Sequence, residues 1–135
     1  MSMMADMMKS MSMPEMAGMT MDMDLCMECT DACSAAAMAA TMCADADAGE
    51  GMGRSASMCM NMADVATAMM RMLMRPVGMD MAAMGPMMTA CMAMGEACAA
   101  ECEQHAAMSE HCRICASACR AMVDACTRMM ASMKG

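Results

Sequence analysis

CRICASACRAMVDAC, residues 112–126, carries sulfur at positions 112, 115, 119, 122 and 126, with alanine, charged or small residues at most others. Intervals of three and four residues return to one side of a helix turning about 100° per residue. The spacing predicts a helix with one sulfur-bearing face. Its first eight residues follow C-x-x-C-x-x-x-C, a pattern that recurs as CMECTDAC at Cys26–Cys33. On a helix each such triplet falls within about 60° of arc.

The rest of the chain extends this reading. Of 135 residues, 34 are Met and 12 are Cys, while Phe, Tyr and Trp are absent. Branched aliphatic bulk is confined to Leu25, Leu73, Ile114 and a few valines. Methionine has three rotatable side-chain bonds and specifies a core poorly, so this reliance on it points to a use for the sulfur itself. Residues 1–24 form a Met-rich segment with 11 methionines, read as a mobile tail or a short helix. Residues 25–135 form the candidate domain. Helices are expected over about 24–47, closed by GEGMG at Gly49–Gly53, and over about 54–75, closed before Pro76 and Gly78. A third helix begins at Pro86, or near Asp80 with a kink at Pro86, and ends near Met108. Ser109 is the expected N-cap of a fourth helix reaching about Met133. The fold class is all-α, an antiparallel up-down-up-down four-helix bundle with a sulfur-lined core.

Each predicted helix carries part of that lining. Cys26, Cys29 and Cys33 stand on the first, with Cys43 somewhat off their line near its far end. On the second, Cys59 is extended by Met62, Met69 and Met70; on the third, Cys91, Cys98 and Cys102 stand beside Met84, Met87, Met94 and His105. The fourth adds Cys112, Cys115, Cys119 and Cys126 with Met122, Met129, Met130 and Met133. Glu28, Asp31, Asp45, Asp47, Arg113, Arg120, Asp124 and Arg128 fall mainly off these faces, so the sulfur turns inward. Glu101, Glu103 and Glu110 are read as solvated charges.

Sixteen acids against eight bases leave a net charge of −8, with no basic stripe to neutralise phosphates or attract anionic lipid. The longest uncharged run, Met81–Gly95, has 15 residues, short of the roughly 20 a membrane span needs. No catalytic triad or phosphate loop marks an enzyme. Buried Cys as a plain small hydrophobe accounts for one or two positions, not for 12 in register. Neighbours three or four apart on a helix have Cβ atoms about 5–6 Å apart, beyond the roughly 3.5–4.5 Å of a disulfide. Bridges between helices stay open as a reading, and so does a peptide-binding module with Met faces. A sacrificial oxidant sink would not need cysteines in register. Soft metal fits best. Thioether and thiolate together suit Cu(I), and each Cu(I) that displaces about one proton leaves the core neutral, whereas Zn²⁺ on four thiolates does not.

The run from Cys91 to Cys126, with E-C-x-x-H-x-x-x-x-x-H-C-x-x-C-x-x-x-C over Glu101–Cys119, resembles the bacterial four-helix-bundle copper storage proteins; the likeness covers about residues 24–130. The resemblance implies a bundle filled with several Cu(I) ions by the 12 cysteines, with His105 and His111 near an open end. It also implies a tetramer in some members, and proteins that deliver or accept copper. This chain departs from the family pattern in carrying Met at many inward positions. Thioethers need no deprotonation and form no disulfides, which favours an exported protein if Met1 was added to a mature form; if Met1 is the initiator, the protein is cytosolic. Replacing Cys29, Cys33, Cys115 and Cys119 by Ser is expected to lower copper capacity in an anaerobic titration by about one ion per thiol removed. Far-ultraviolet circular dichroism should be unchanged.

Overall fold

The computed structural model describes residues 2–11 and 22–133. Five α-helices follow in order: α1 (Ser2–Ser10), α2 (Met23–Gly49), α3 (Gly53–Leu73), α4 (Met81–Glu103) and α5 (Glu110–Met133), with a 3₁₀ turn at Pro76–Gly78. No strand occurs among the described residues. The short-helix reading of the amino-terminal segment holds for residues 2–10; residues 12–21 lie outside the described ones.

The helix ends show why the chain breaks where it does. Asp22 accepts from the Leu25 amide at 3.1 Å and caps α2. At its far end, the carbonyl of Asp47 accepts from the amides of Glu50 and Met52 at 3.1 and 2.8 Å. This tight reversal requires a positive φ at Gly51 (76°), a conformation glycine adopts freely. Helix α4 starts from Asp80, whose Oδ1 accepts from the amides of Ala82 and Ala83 at 2.9 and 3.2 Å. Pro86 is therefore inside α4 rather than at its start. Both Pro86 and Ala82 are exposed, so the carbonyl that lacks a proline N–H partner faces water. The helix stops at Glu103, five residues before the expected Met108, and residues 104–108 form successive tight turns. Ser109 Oγ accepts from the Cys112 amide at 3.4 Å, as an N-cap should.

Helices α2–α5 close into an antiparallel ring in which α2 packs on α3 and α5, and α4 packs on the same two. Contacts between distant residues fix the directions. Cys26 meets Leu73, Cys29 meets Cys126, Cys43 meets Cys112, and Cys59 meets Cys102. The core consists of four ladders stepping three and four residues in turn. They are 26-29-33-36-40-43-47 on α2, 55-59-62-66-69-73 on α3, 84-88-91-95-98-102 on α4 and 112-115-119-122-126-129 on α5, and every member is buried. Such steps average 3.5 residues per turn, the period that keeps one seam facing its partners in a left-handed bundle.

Two sequence expectations are corrected by this. Cys43 was placed off the stripe of the first helix and Asp47 on an outer face, yet Cys43 is 1% and Asp47 0% exposed. At 3.6 residues per turn Cys43 falls about 40° outside the arc of Cys26, Cys29 and Cys33, and the 3.5-residue period brings it back to the axis. Asp47, five full turns after Cys29, points the same way as Cys29 even on a straight helix. Glu101, read as solvated, is also buried.

The helices approach closely where the ladder residue is small. A Cβ built on Gly95 would stand 2.7 Å from Met122 Cε and 2.9 Å from Val123 Cγ2. The methionine end can swing aside, whereas the β-branched Val123 is stiff. Gly95→Val is expected to destabilise the bundle by about 1–3 kcal/mol through overpacking, read as a lowered midpoint in thermal melting of the metal-free protein.

Candidate metal centre

The four ladders assemble a column of sulfur from residues far apart in the chain. All 12 cysteines are buried free thiols. Cys29 Sγ lies 3.2 Å from Cys126 Sγ, well beyond a disulfide bond of about 2.05 Å.

Four groups have ligand atoms lying within 4.8 Å of one another. At the end where α2 finishes and α5 begins, Cys43, Asp47, His111 and Cys112 form a mixed sulfur, oxygen and nitrogen group. Cys43, Cys59, Cys102 and Cys115 form a four-thiol group, so Cys43 belongs to both. Cys115 in turn belongs to a third, with Cys98 and Cys119. The fourth, Cys29, Cys33 and Cys126, lies toward the other end. Cys43 and Cys115 thus link three of the four groups, while the Cys29, Cys33 and Cys126 group stands apart.

Cys26 and Cys91 belong to none of the four groups. The Cys26 thiol lies 3.7 Å from the Leu73 carbonyl, and Cys91 Sγ lies 3.7 Å from Met122 Sδ, a thiol–thioether pair. Among the methionines singled out from sequence, Met62, Met69, Met84, Met122 and Met129 are buried on the ladders. Met70, Met87, Met94 and Met130 are half-buried and pack on the outside of the core. Met88, which sequence reasoning passed over, is fully buried; its place three residues before Cys91 and four after Met84 was the available signal.

The two histidines do different things. His111 is half-buried, with Nδ1 3.2 Å from Cys43 Sγ and 3.8 Å from Asp47 Oδ1, while Nε2 faces Glu50 Oε1 at 3.0 Å. It spans from the surface to the first thiols. His105 Nε2 instead lies 3.3 Å from Glu101 Oε2 and reaches no thiol group. Asp47 was missed as a candidate ligand. Its carboxylate oxygens receive the thiols of Cys112 at 3.5 Å, Cys43 at 3.7 Å and Cys59 at 3.9 Å. A buried carboxylate is retained at such a place when several donors converge on it.

Proton affinities follow from hydrogen bonding within the column. Cys126 and Cys33 bond to Cys29 and pull its thiol down to about 5; Cys115 and Cys98 do the same to Cys119, also to about 5. Cys102, bonded to Cys115, Cys59 and Cys98, is held well below the ordinary thiol range. The partners move the other way. Cys33, Cys59, Cys98 and Cys115 are raised as donors to neighbouring sulfur. Burial leads the causes that push Cys26 up to about 11 and that raise Cys43 and Cys112. Cys91 rises to about 12, chiefly through Cys126. Hydrogen bonding within the column thus splits the proton affinities of neighbouring thiols, lowering one partner while raising the other.

At the same end of the bundle, Glu101 receives Ser55 Oγ at 2.9 Å and Arg54 Nε at 3.1 Å. The Ser55 hydrogen bond, then His105 and Arg54, hold its carboxyl below the usual carboxylate range. A depressed carboxyl contributes stability above its unfolded value, and that stability is lost as pH falls through the lowered one. Glu101→Gln should therefore cost about 1–2 kcal/mol at pH 7, with the gap from wild type closing on acidification below about pH 4.5. Urea unfolding at the two pH values would measure it.

Residues 11–131 match the family model described as copper storage protein. Among solved structures, the chain is similar to the Streptomyces lividans copper storage protein Ccsp loaded with 10 copper equivalents. That match has 32% identity and a TM-score of 0.86, and covers 96% of this chain and 98% of that one. It is likewise similar to a Ccsp variant with two histidines changed to alanine (35% identity, 82% and 97% covered, TM-score 0.78). A third similar structure is described as a cytosolic copper storage protein from Streptomyces lividans with five coppers (36%, 80% and 93%, TM-score 0.76). A comparison with curated proteins finds no match.

Proposed function

The chain belongs to the copper storage protein family, and from that premise we propose that it stores Cu(I), many ions per chain, on the thiols of its bundle axis. The observation that carries this reading is the inward convergence of all 12 cysteines as free thiols, ten of them in four groups, three of which are linked through Cys43 and Cys115. Thiolate and thioether sulfur are the donors that favour Cu(I), and one proton leaves for about each ion that binds. A column that is nearly neutral when empty and when full can fold first and load afterwards.

The ligands are Cys26, Cys29, Cys33, Cys43, Cys59, Cys91, Cys98, Cys102, Cys112, Cys115, Cys119 and Cys126, with thioethers of the buried methionines as supplementary donors. His111 and Asp47, against Cys43 and Cys112, form the mouth at which an ion is first taken from solvent. His105 acts there through Glu101 rather than as a direct ligand. Residues 25–135 make the store, and residues 1–24 precede it as a Met-rich segment. The role is binding rather than catalysis, with copper-donor and copper-acceptor proteins as partners and a homo-tetramer as the assembly the resemblance implies. Twelve reduced thiols suit the cytoplasm, as does the likeness to a protein described as cytosolic. The peptide-binding alternative loses its basis, because Met62, Met69, Met88, Met122 and Met129 are buried at 0–1% exposure rather than lining an open groove.

The test is an anaerobic Cu(I) titration of the reduced protein against a competing chelator, with helicity followed throughout. Tight uptake of roughly ten or more ions on an already helical chain is the expected result. Uptake of only one or two would end the storage reading.

A further inference from the structure

At the end of the bundle away from His111 and Asp47, a cavity of about 60 Å³ opens between α1 and the bundle, lined by Met4, Met7, Met8, Met11, Met27 and Met74. We propose that this cavity binds one Cu(I) through thioether sulfur alone, as a second metal site apart from the thiol column. The proposal shares with the storage reading only the choice of ion.

The wall is uniform in chemistry. Six methionines converge from α1 and the residue after it, the start of α2 and the residue after α3, and among the described residues they alone line the space. Helix α1 sets its share by helical spacing. Met4, Met8 and Met11 stand four and three residues apart and turn toward the bundle, Met8 being buried and the other two half-buried, whereas Met3 is exposed. Met7 and Met74 are exposed at the rim, so an ion can reach the cavity from solvent and their flexible thioethers can close on it. An apolar joint that served packing alone would gain from branched side chains with fewer rotamers. Thioether is neutral and soft, and it selects Cu(I) over harder cations.

The electrostatic surroundings favour a cation. The adjoining groove shares Met8 and Met27 with the cavity and carries Asp24, Glu28 and Asp31 beside Lys9. Arg128 pairs with Glu28, so the three acids outnumber the two bases. The larger Met-containing cavity, about 290 Å³, has Arg75 and Asp80 in its wall as well, so it lacks the uniform thioether lining. The site also adjoins the thiol column. Met27 follows Cys26 in the chain, and Met74 follows Leu73, whose carbonyl lies against the Cys26 thiol.

The experiment compares the full-length chain with a Met4→Leu, Met8→Leu, Met27→Leu variant, in which leucine keeps the apolar bulk. Both carry ¹³C-methyl methionine, and Cu(I) is added anaerobically past the point where thiolate–copper absorption levels off. In the wild type, the methyl resonances of Met4, Met8 and Met27 should shift, and about one more ion should be retained after desalting than in the variant. Unmoved methyl signals under excess Cu(I), or equal retention by a folded variant, would overturn the proposal. The wild-type methyl shifts decide the matter even if the variant fails to fold. Absent thiolate–copper absorption with these methyl shifts present would refute storage and leave this site standing.

Discussion

The packing of four helical seams at a repeat of 3.5 residues governs the whole molecule. Each seam alternates steps of three and four, and the antiparallel ring sets α2 against α5 in opposite directions, so that Cys29 meets Cys126 while Cys43 meets Cys112. With no aromatic side chain available, the bundle relies on small and flexible ladder members. Ala36, Ala40, Ala66 and Gly95 draw the helices together, and Met62, Met69, Met88 and Met122 fill what remains. Sulfur reaches the axis because the seam has nowhere else to turn it.

That arrangement creates an electrostatic difficulty and resolves it locally. Twelve thiols in a dry column cannot all ionise. Hydrogen bonding between them instead lowers Cys29, Cys102 and Cys119 while raising Cys33, Cys59, Cys98 and Cys115. The thiols of lowered proton affinity are thus the ones that most readily exchange a proton for a soft cation. The buried carboxylates, Asp47 and Glu101, sit where α2 and α4 end, and each is met by several donors.

The two ends of the bundle differ in chemistry for the same reason that they differ in chain connection. One end holds the Gly51 reversal and the turns before Ser109, which bring Asp47, His111, Ser55 and Glu101 together. The other is sealed by Leu73, Pro76 and Met129 and is flanked by α1 with its methionines. Oxygen and nitrogen donors join sulfur at the first end, and thioethers dominate the second.

Helix content, the all-α class and most inward cysteines were legible from local spacing, because a face defined by steps of three and four survives in any helix. The C-x-x-C-x-x-x-C stretches at Cys26 and Cys112 needed no partner to be read. Cys43 was set off the stripe because its direction depends on supercoiling, which a single straight helix does not have, whereas Asp47, five full turns after Cys29, was legible from spacing and was misread. Glu101 was misread because Ser55 and Arg54, which receive it, lie 46 and 47 residues away. Local sequence thus determined which faces carry sulfur. The tertiary structure alone decided which sulfurs share an ion-sized space and which carboxylates join them, since those distances are set by the register between helices and not by the period within one.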